Sequence, residues 1–437
     1  MEPTTKVAAE VATLCSELIR FDTSNFGPEG SVGEREATEY VAAKLDEVGI
    51  TSQLFESEPR RTSLVAEWAP EGCDRSLPPL LIHGHTDVVP AVAADWQVDP
   101  FAGEIVDDYV WGRGAVDMKD FDAIILAVVR QRQREGRPPR RPIRLVFAAD
   151  EEAGGAKGAG WLADHHPELI ADCTEAIGEV GGFSLTVNDQ RLYLIQTAEK
   201  GLAWLNLIAS GTAGHGSMRN SDNAITELAA AIARVGNYQW PVRIRPAQQQ
   251  FLDAIEDVLG VPVNADNAET TLAQLGSIAR MVGATMSNTA NPTMLAGGYK
   301  VNVIPGQASA GIDGRFIPGH EQEFYDTITE LLGDKVRYEV VTGEIAVETS
   351  FDGAVVEAMR ASLQAADPGS LAVPFMMSAG TDAKAWSRLG VRCFGFAPLR
   401  LPPELDFISL FHGVDERVPV ESLEFGYQVF DDFLDRA

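Results

Sequence analysis

The chain has 437 residues, 45 % of them hydrophobic and 23 % charged, a balance typical of globular proteins. Its 35 basic and 64 acidic residues give a formal net charge of −29. This charge argues against binding to nucleic-acid backbones or anionic membranes and is compatible with attracting metal cations. Since the length exceeds that of one typical hydrophobic core, we expect two domains.

The N-terminal stretch, residues 1–21, lacks the basic segment and continuous apolar core of a signal peptide. Its apolar spacing predicts an amphipathic helix instead, beginning near Thr4 or Thr5. No run approaches the ~20 apolar residues that a membrane span requires. The four cysteines, Cys15, Cys73, Cys173 and Cys393, form no CxxC pair, which favours free thiols in a reducing compartment. We therefore expect a cytoplasmic protein.

Helix and strand patterns alternate along the first part of the chain. Apolar spacing predicts helices over 5–20, 33–48, 121–133 and 160–165, and strands over 63–68, 80–83, 144–149, 175–179 and 192–197. Such alternation predicts an α/β domain whose sheet is covered by helices on both faces.

The pattern changes near Glu199. Strands are predicted over 201–210, 293–302, 307–316 and 336–341, with helices over 222–235 (capped by Ser221 or Asp222) and 321–332. Two strand–helix–strand halves form a small α+β unit of the ferredoxin-like type. From about Phe351 the α/β pattern returns, with helices over 353–365 and 382–389 and a strand over 393–397. We expect a discontinuous domain of residues 1–197 and 348–437, with residues 198–347 inserted as a second domain.

Polar residues collect where the predicted strands end. Ligands of open α/β sheets bind just past the carboxyl ends of the strands. A mixture of imidazoles and carboxylates there is what hard and borderline divalent cations bind. The residues at or near these ends are His85, Asp87, Asp117, Asp150, Glu151, Glu152, Glu179 and His412.

Each of these signals is weak by itself. A single histidine such as His83 or His85 is more often packed or exposed than bound to metal. Asp117 alone would be interpreted as the cap of the following helix. The basic stretch 132–141 is interpreted as a solvated surface loop. Only the combination of these residues, in this order along the chain, indicates a metal site.

Five motifs occur in a fixed order: HGHTDVVP, DWQVDPFAGEI, WGRGAVDMK, DEEAGG and FHGVDERV. Together they resemble the di-zinc metallopeptidase family of aminoacylase-1, carboxypeptidase G, cytosolic dipeptidases and succinyl-diaminopimelate desuccinylase. The resemblance extends from about residue 10 to the C-terminus. It implies a catalytic α/β domain with a central mixed sheet between helices and an inserted α+β lid. Asp120 departs from the family, which commonly has glycine after DMK.

The resemblance also implies two divalent metal ions per subunit. Zn²⁺ is the expected ion, and the same donor atoms would accept Co²⁺ or Mn²⁺. Asp117 would bridge the two ions. Glu151 would be the general base acting on a water shared by the ions, and Asp87 would orient a metal-binding imidazole. The implied metal ligands are His85, Asp117, Glu152, Glu179 and His412.

Further candidates lie in the predicted lid and in the loop SAGTDA. His215 in GTAGHGSM matches the family's lid histidine, which stabilises the oxyanion across a dimer interface. Without the resemblance, His215, Arg315 and Asn302 would be a loop histidine, a strand-edge arginine and a turn asparagine. The implied substrate-binding residues, which receive the substrate's carboxylate or carbonyl, are Arg315, Asn302, Gly380, Thr381 and Asn288.

The motifs predict a homodimeric, metal-dependent hydrolase that cleaves the amide bond of a short peptide or N-acyl amino acid bearing a free carboxylate. N-succinyl amino acids are an alternative substrate. A catalytically silent metal- or peptide-binding protein on the same scaffold is a second hypothesis, although a binder would not need Glu151. A nucleotide-binding protein is a third, but neither GxxxxGK[ST] nor a full GxGxxG occurs in the sequence.

Overall fold

The computed structural model describes residues 3–27, 30–263 and 282–437. Its helices are Pro3–Ile19 (α1), Arg35–Asp46 (α2), Lys119–Glu135 (α3), Ala159–His165 (α4), Ala224–Asn237 (α5), Pro246–Leu259 (α6), Glu321–Leu332 (α7), Ala354–Ala366 (α8), Ala383–Ser387 (α9) and Val420–Arg436 (α10). Within these described ranges, no helix is long and apolar enough to cross a membrane.

The strands alternate with these helices along the chain. They are Ser52–Glu58 (β1), Arg61–Trp68 (β2), Leu80–His85 (β3), Ile105–Val106 (β4), Tyr109–Trp111 (β5), Ile143–Ala148 (β6), Glu175–Gly178 (β7), Ser184–Val187 (β8), Gln190–Glu199 (β9), Gly201–Ser210 (β10), Gly214–His215 (β11), Thr289–Gly297 (β12), Val303–Ile304 (β13), Gln307–Phe316 (β14), Val336–Glu344 (β15), Val347–Glu348 (β16), Leu371–Met377 (β17), Arg392–Gly395 (β18) and Arg417–Pro419 (β19).

One large mixed sheet has the strand order β1-β2-β6-β3-β7-β18-β9-β16, with β8 and β17 also paired to β9. At its centre, β3 runs parallel to both β6 and β7, and β7 runs parallel to β18. At one edge β1 and β2 run antiparallel. The predicted α/β class with a central mixed sheet is confirmed.

Alternate residues of the central strands face two different apolar cores. On β2, Leu64 and Ala66 pack with α1, α2 and α3, whereas Val65 packs with α4 and α9. All six residues of β6 are buried, as expected of a strand covered on both faces. Helices therefore cover both faces of the sheet.

A second, four-stranded sheet has the order β12-β14-β10-β15 and is antiparallel throughout. Helices α5 and α7 cover one of its faces, around Leu205, Leu228 and Phe324. The chain order β-α-β-β-α-β is that of a ferredoxin-like unit. Trp204 on the opposite face is 46 % exposed, so this face is more open to solvent.

Helix α6 lies within the predicted inserted range, yet it packs on the large sheet. Its side chains Phe251, Leu252 and Ile255 belong to the large core, and α6 contacts β17. The boundaries at 197/198 and 347/348 stay predictions, and this helix crosses the simple division that they imply.

Several predicted elements differ in detail from the structure. Helix α5 is capped by Asn223, whose side chain accepts the N–H groups of Ile225 and Thr226, rather than by Ser221 or Asp222. The strand predicted over 293–302 is β12, which ends at Gly297. The sequence patterns did not identify β1, α6, β17 or α10.

Candidate metal centre

Three neighbouring strand ends place polar residues at one edge of the large sheet. Strand β3 ends at His85, β6 is followed by Asp150 and the 3-10 helix Glu151–Ala153, and β7 is followed by Glu179. Since β3 is parallel to β6 and β7, the carboxyl ends of all three lie side by side.

Two groups of potential ligand atoms lie at this edge. One consists of His85, Asp117 and Glu179, and the other of Asp117, Glu152 and His412; within each group the ligand atoms lie within 4.8 Å of one another. We call these five residues the candidate metal centre. They are the five ligands that the sequence predicted.

Asp117 belongs to both groups. Its Oδ1 lies 3.1 Å from Nε2 of His85, and its Oδ2 lies 3.2 Å from Nε2 of His412. Glu179 completes the first group at 3.3 Å from His85, and Glu152 completes the second at 3.1 Å from His412. A carboxylate whose two oxygens face two imidazoles is suited to bridging two ions.

The electrostatics of the centre favour cations. Burial raises the pKa of Glu179 to about 7, and burial together with the charge of Asp117 raises that of Glu152. Hydrogen bonds to Asp117 and Glu152 raise the pKa of His412 to about 10. Protons thus balance the crowded carboxylates, and divalent cations can replace those protons. The donor set of imidazoles and carboxylates therefore fits two divalent ions.

Glu151 lies beside the centre without belonging to either group. Its Oε2 is 3.9 Å from Nε2 of His85. Burial and the charge of Glu179 raise the pKa of Glu151 well above its ordinary value. A carboxylate that is near the ligands but not among them is placed to exchange protons.

Asp87 orients two parts of the centre at once. Nδ1 of His85 lies 3.0 Å from the backbone oxygen of Asp87 and 3.5 Å from its Oδ1. The Asp87 carboxylate also accepts the backbone N–H groups of Glu151 at 3.1 Å and Glu152 at 3.2 Å. Asp87 therefore fixes the turn that carries the proposed base as well as the predicted imidazole.

Asn25 and Arg61 support Asp87, and the sequence analysis missed both. Nδ2 of Asn25 donates to Asp87 at 2.8 Å and to Asp150 at 3.2 Å. Arg61 donates to Oδ1 of Asn25 at 2.8 Å and lies 3.1 Å from Asp150, and it also pairs with Glu34. All five of these residues are buried. No motif marks Asn25 or Arg61.

Glu416 fixes the loop that carries Asp117. Its Oε1 accepts the N–H groups of Gly114, Val116 and Asp117 at 3.1, 2.8 and 3.2 Å. Its Oε2 lies 2.6 Å from Arg113. Glu416 stands in the motif FHGVDERV, so its presence in a shared motif was the available signal.

The predicted lid residues make their hydrogen bonds within the predicted lid itself. His215 is exposed and contacts Ser217 at 2.9 Å. Asn302 lies near His215, because the backbone N–H of Gly216 donates to the backbone oxygen of Asn302 at 2.9 Å. Arg315 is half-buried and donates to Asp313 at 2.7 Å. In the described part of the chain, no hydrogen bond joins these side chains to the centre.

Two predicted substrate-binding groups are already engaged in the structure. The N–H of Thr381 donates to Glu199 at 3.0 Å, so this donor already has a partner within the chain, and the binding of a substrate carboxylate by Thr381 stays a prediction. Asn288 is buried and its amide bonds the backbones of Ile317 and His320, which gives it a structural role. Gly380, the other member of the predicted loop, is half-buried.

Comparison with known proteins places this geometry in context. The probable carboxypeptidase S-like 2 of Dictyostelium discoideum is 28 % identical over 384 residues, covering 82 % of this chain and 71 % of that protein. Aminoacylase-1 of Sus scrofa is 27 % identical over 424 residues, covering 93 % of this chain and 90 % of that protein. The M20 family metallo-carboxypeptidase Sso-CP2 from Sulfolobus solfataricus has a similar fold, with a TM-score of 0.71 at 18 % identity and coverage of 100 % and 99 %.

The sequence profile of Peptidase family M20/M25/M40 matches residues 81–436. This range contains all five motifs and the whole candidate metal centre. The predicted resemblance and the prediction of a metallopeptidase-class enzyme are thereby confirmed. The chain belongs to peptidase family M20/M25/M40.

Proposed function

We propose that the protein hydrolyses the amide bond of a short peptide or N-acyl amino acid that bears a free carboxylate. The observation that carries this proposal is the pair of ligand groups sharing Asp117, with Glu151 beside His85 of the first group and part of neither group. A protein that only bound metal would have no use for a buried carboxylate at that position. The proposal therefore places catalysis, rather than silent binding, at the candidate metal centre.

The roles of the side chains follow from their positions. Bound divalent ions, Zn²⁺ in our proposal with Co²⁺ or Mn²⁺ as substitutes, supply the Lewis acidity that activates water and polarises a carbonyl. Glu151 accepts the proton of the attacking water and later gives it to the leaving amine. Asp87 keeps Glu151 in place through the backbone N–H group of that residue.

The substrate class is supported by two features. Arg315 has a guanidinium that can bind a carboxylate with two parallel hydrogen bonds, and Gly380 belongs to the glycine-containing loop SAGTDA, a type of loop that can offer backbone N–H groups. Two relatives carry the names aminoacylase-1 and carboxypeptidase S-like 2, which describe N-acyl amino acids and peptide C-termini. An N-succinyl amino acid is the alternative within the same class.

We further propose a homodimer formed through the four-stranded sheet. Met294 and Leu295 on its outer strand β12 are 73 % and 72 % exposed. Exposed apolar residues on an edge strand favour pairing with another chain. Each subunit would then supply its His215 to the metal centre of the partner subunit. The proposed location is the cytoplasm, in keeping with four unpaired cysteines.

A substrate screen tests the proposal. The zinc-loaded protein is incubated with dipeptides and with N-acetyl, longer N-acyl and N-succinyl amino acids, each beside its carboxamide counterpart, and amine release is measured. We expect turnover of at least one free acid and little turnover of its amide. Binding of metal and peptide without amine release would instead support the silent binding protein, and Glu151→Gln provides the inactive control.

A further inference from the structure

Two short crossings join the large sheet directly to the four-stranded sheet. One runs from Glu199, the last residue of β9, to Gly201, the first of β10, and the other from Glu344 on β15 to Val347 on β16. Each crossing carries a carboxylate: Glu199 bonds Thr381 in the loop SAGTDA, and Glu344 bonds Lys384 in α9, directly after that loop. The loop that was predicted to receive the substrate is thus attached to both crossings.

Glu199 is the more tightly held of the two. It is fully buried, and its Oε2 accepts the N–H of Thr381 at 3.0 Å. Its Oε1 accepts the Thr381 hydroxyl at 2.6 Å and the Gln196 amide at 2.9 Å. With three donors on one buried carboxylate, the position of Thr381 is fixed relative to the crossing, because any shift would leave donors unpaired.

Lys384 and Glu344 support the same loop from the side of the four-stranded sheet. Nζ of Lys384 lies 2.8 Å from Oε2 of Glu344. It also lies beside Gly380, since a Cβ on that glycine would overlap Nζ and the end of the lysine side chain would have to shift. Glu344 also faces Gly154, which follows the 3-10 helix of Glu151, since a Cβ on that glycine would lie 3.2 Å from Oε1.

We propose that Glu199 is a positioning residue for recognition of the substrate's carboxylate. By binding both donors of Thr381, it fixes the turn so that Gly380 is the part of the loop left to meet the carboxylate. Because Glu199 sits at a crossing, the same contact couples the orientation of the four-stranded sheet to the shape of this turn. The inference rests on the proposed function, which supplies the free carboxylate.

The test compares Glu199→Gln with the wild-type holoenzyme on one good N-acyl amino acid and on its primary amide. The glutamine keeps the size of the side chain but has only one acceptor oxygen for three donors. We expect KM for the acid to rise about tenfold, as for loss of one strong hydrogen bond, with kcat and the amide rate little changed. The preference for the acid over the amide should therefore fall.

Glu348→Gln is the matched control. Glu348 lies beside the second crossing and its carboxylate pairs with Arg245 at the start of α6, not with the loop. This variant should keep the preference of the wild-type enzyme. Zinc content and melting temperature are measured for each protein, so that a folding defect is recognised.

The outcomes separate the inference from the proposed function. A wild-type enzyme without preference for the acid would overturn the proposed substrate class and the inference with it. A clear wild-type preference that Glu199→Gln retains would overturn the inference alone, as would equal losses on acid and amide. If Glu199→Gln does not fold, Thr381→Val, which removes only the hydroxyl donor, must raise KM for the acid, and an unchanged KM would overturn the inference.

Discussion

The candidate metal centre and the predicted lid, residues 198–347, hold their functional candidates in opposite ways. In the metal centre, side chains from distant parts of the chain meet, and His85 alone contacts Asp117 and Glu179 within 3.3 Å. In the predicted lid, His215 is exposed and bonds only its neighbour Ser217 among the contacts described, while Arg315 on the four-stranded sheet is held by Asp313.

The difference shows which functional residues a single chain can bring together by itself. Parallel pairing of β3 with β6 and β7 brings the ligands together with no help from another molecule. In the described residues, His215 lies on β11, a two-residue strand that pairs with β13 in a two-stranded sheet separate from the large and the four-stranded sheets. The five residues of the metal centre meet within one chain, whereas we expect His215 to act only after closure or with a partner subunit.

Replacing Asp117 with alanine should have the largest effect, because this carboxylate belongs to both ligand groups. Elemental analysis of zinc-supplied protein should approach two equivalents in the wild type and fall well below two in Asp117→Ala. Hydrolysis should fall to the background of the assay. An unchanged stoichiometry would mean that the two groups do not share a bridging ligand.

Glu151→Gln should separate catalysis from metal binding. Because Glu151 lies outside both ligand groups, the variant should retain both metal equivalents and its fold. Its kcat should fall by about 10²–10⁴-fold, as for loss of a general acid–base group. The measurement is steady-state kinetics beside metal analysis, and near-normal turnover would show that another group is the base.

His215→Ala tests the other side of the comparison. Loss of an oxyanion donor typically lowers kcat by about 10²–10³-fold, so we expect a loss of that size with metal content unchanged. If His215 acts across a dimer, mixing this variant with Glu151→Gln under subunit exchange should restore part of the activity. One site of the mixed dimer then has both groups.

The control for that mixture is each variant exchanged with itself, which should stay inactive. Exchange must be shown independently, for example with a size tag on one variant. If exchange occurs and no activity returns, His215 does not act across the dimer, and the four-stranded sheet would have to close on its own centre.

The sequence could indicate which residues meet in the candidate metal centre, because their grouping follows from simple rules. The strand ending in HGH predicts that His85 lies at a sheet edge, and the parallel pattern predicts that Glu152 and Glu179 lie there too. The same reasoning does not predict the contact between Thr381 and Glu199. A glycine-rich loop suggests free N–H groups, but nothing in SAGTDA shows that Glu199, 182 residues away, has already taken one of them.

The buried residues that support Asp87 could not be predicted from the sequence either. Arg61 starts an ordinary strand, and Asn25 stands in a loop after α1, so neither carries a periodic or motif signal. Their function arises from contacts across 36 to 125 residues of chain, which only the folded structure shows. Adjacent Arg60 and Arg61 would look equivalent in the sequence, yet one is on the surface and the other is buried.

The neighbours Arg60 and Arg61 allow the smallest of the predicted effects on activity to be tested with a matched control. Arg61 is 4 % exposed and lies among Glu34, Asp150 and Asn25, so Arg61→Met leaves buried carboxylates without their cation. Breaking such a buried pair typically costs about 3–5 kcal/mol of stability. The Asp87 network loses a fixed partner, and such supporting contacts are worth about 10–100-fold in metal affinity or activity.

Arg60→Met is the matched control, since Arg60 is an exposed neighbour that pairs with Glu36 at 3.5 Å on the surface. Its effect should stay within about 1 kcal/mol, as for exposed ion pairs. Urea unfolding, zinc affinity and kcat are compared for both variants and the wild type. A large stability loss in Arg61→Met with unchanged zinc affinity and kcat would mean that Arg61 supports packing only. A loss of stability, zinc affinity and kcat in Arg61→Met but not in Arg60→Met would show that the metal centre depends on a buried network. This network connects Arg61 to the centre through Asn25 and Asp87. The exposed residues of the predicted lid have no such network among the contacts described.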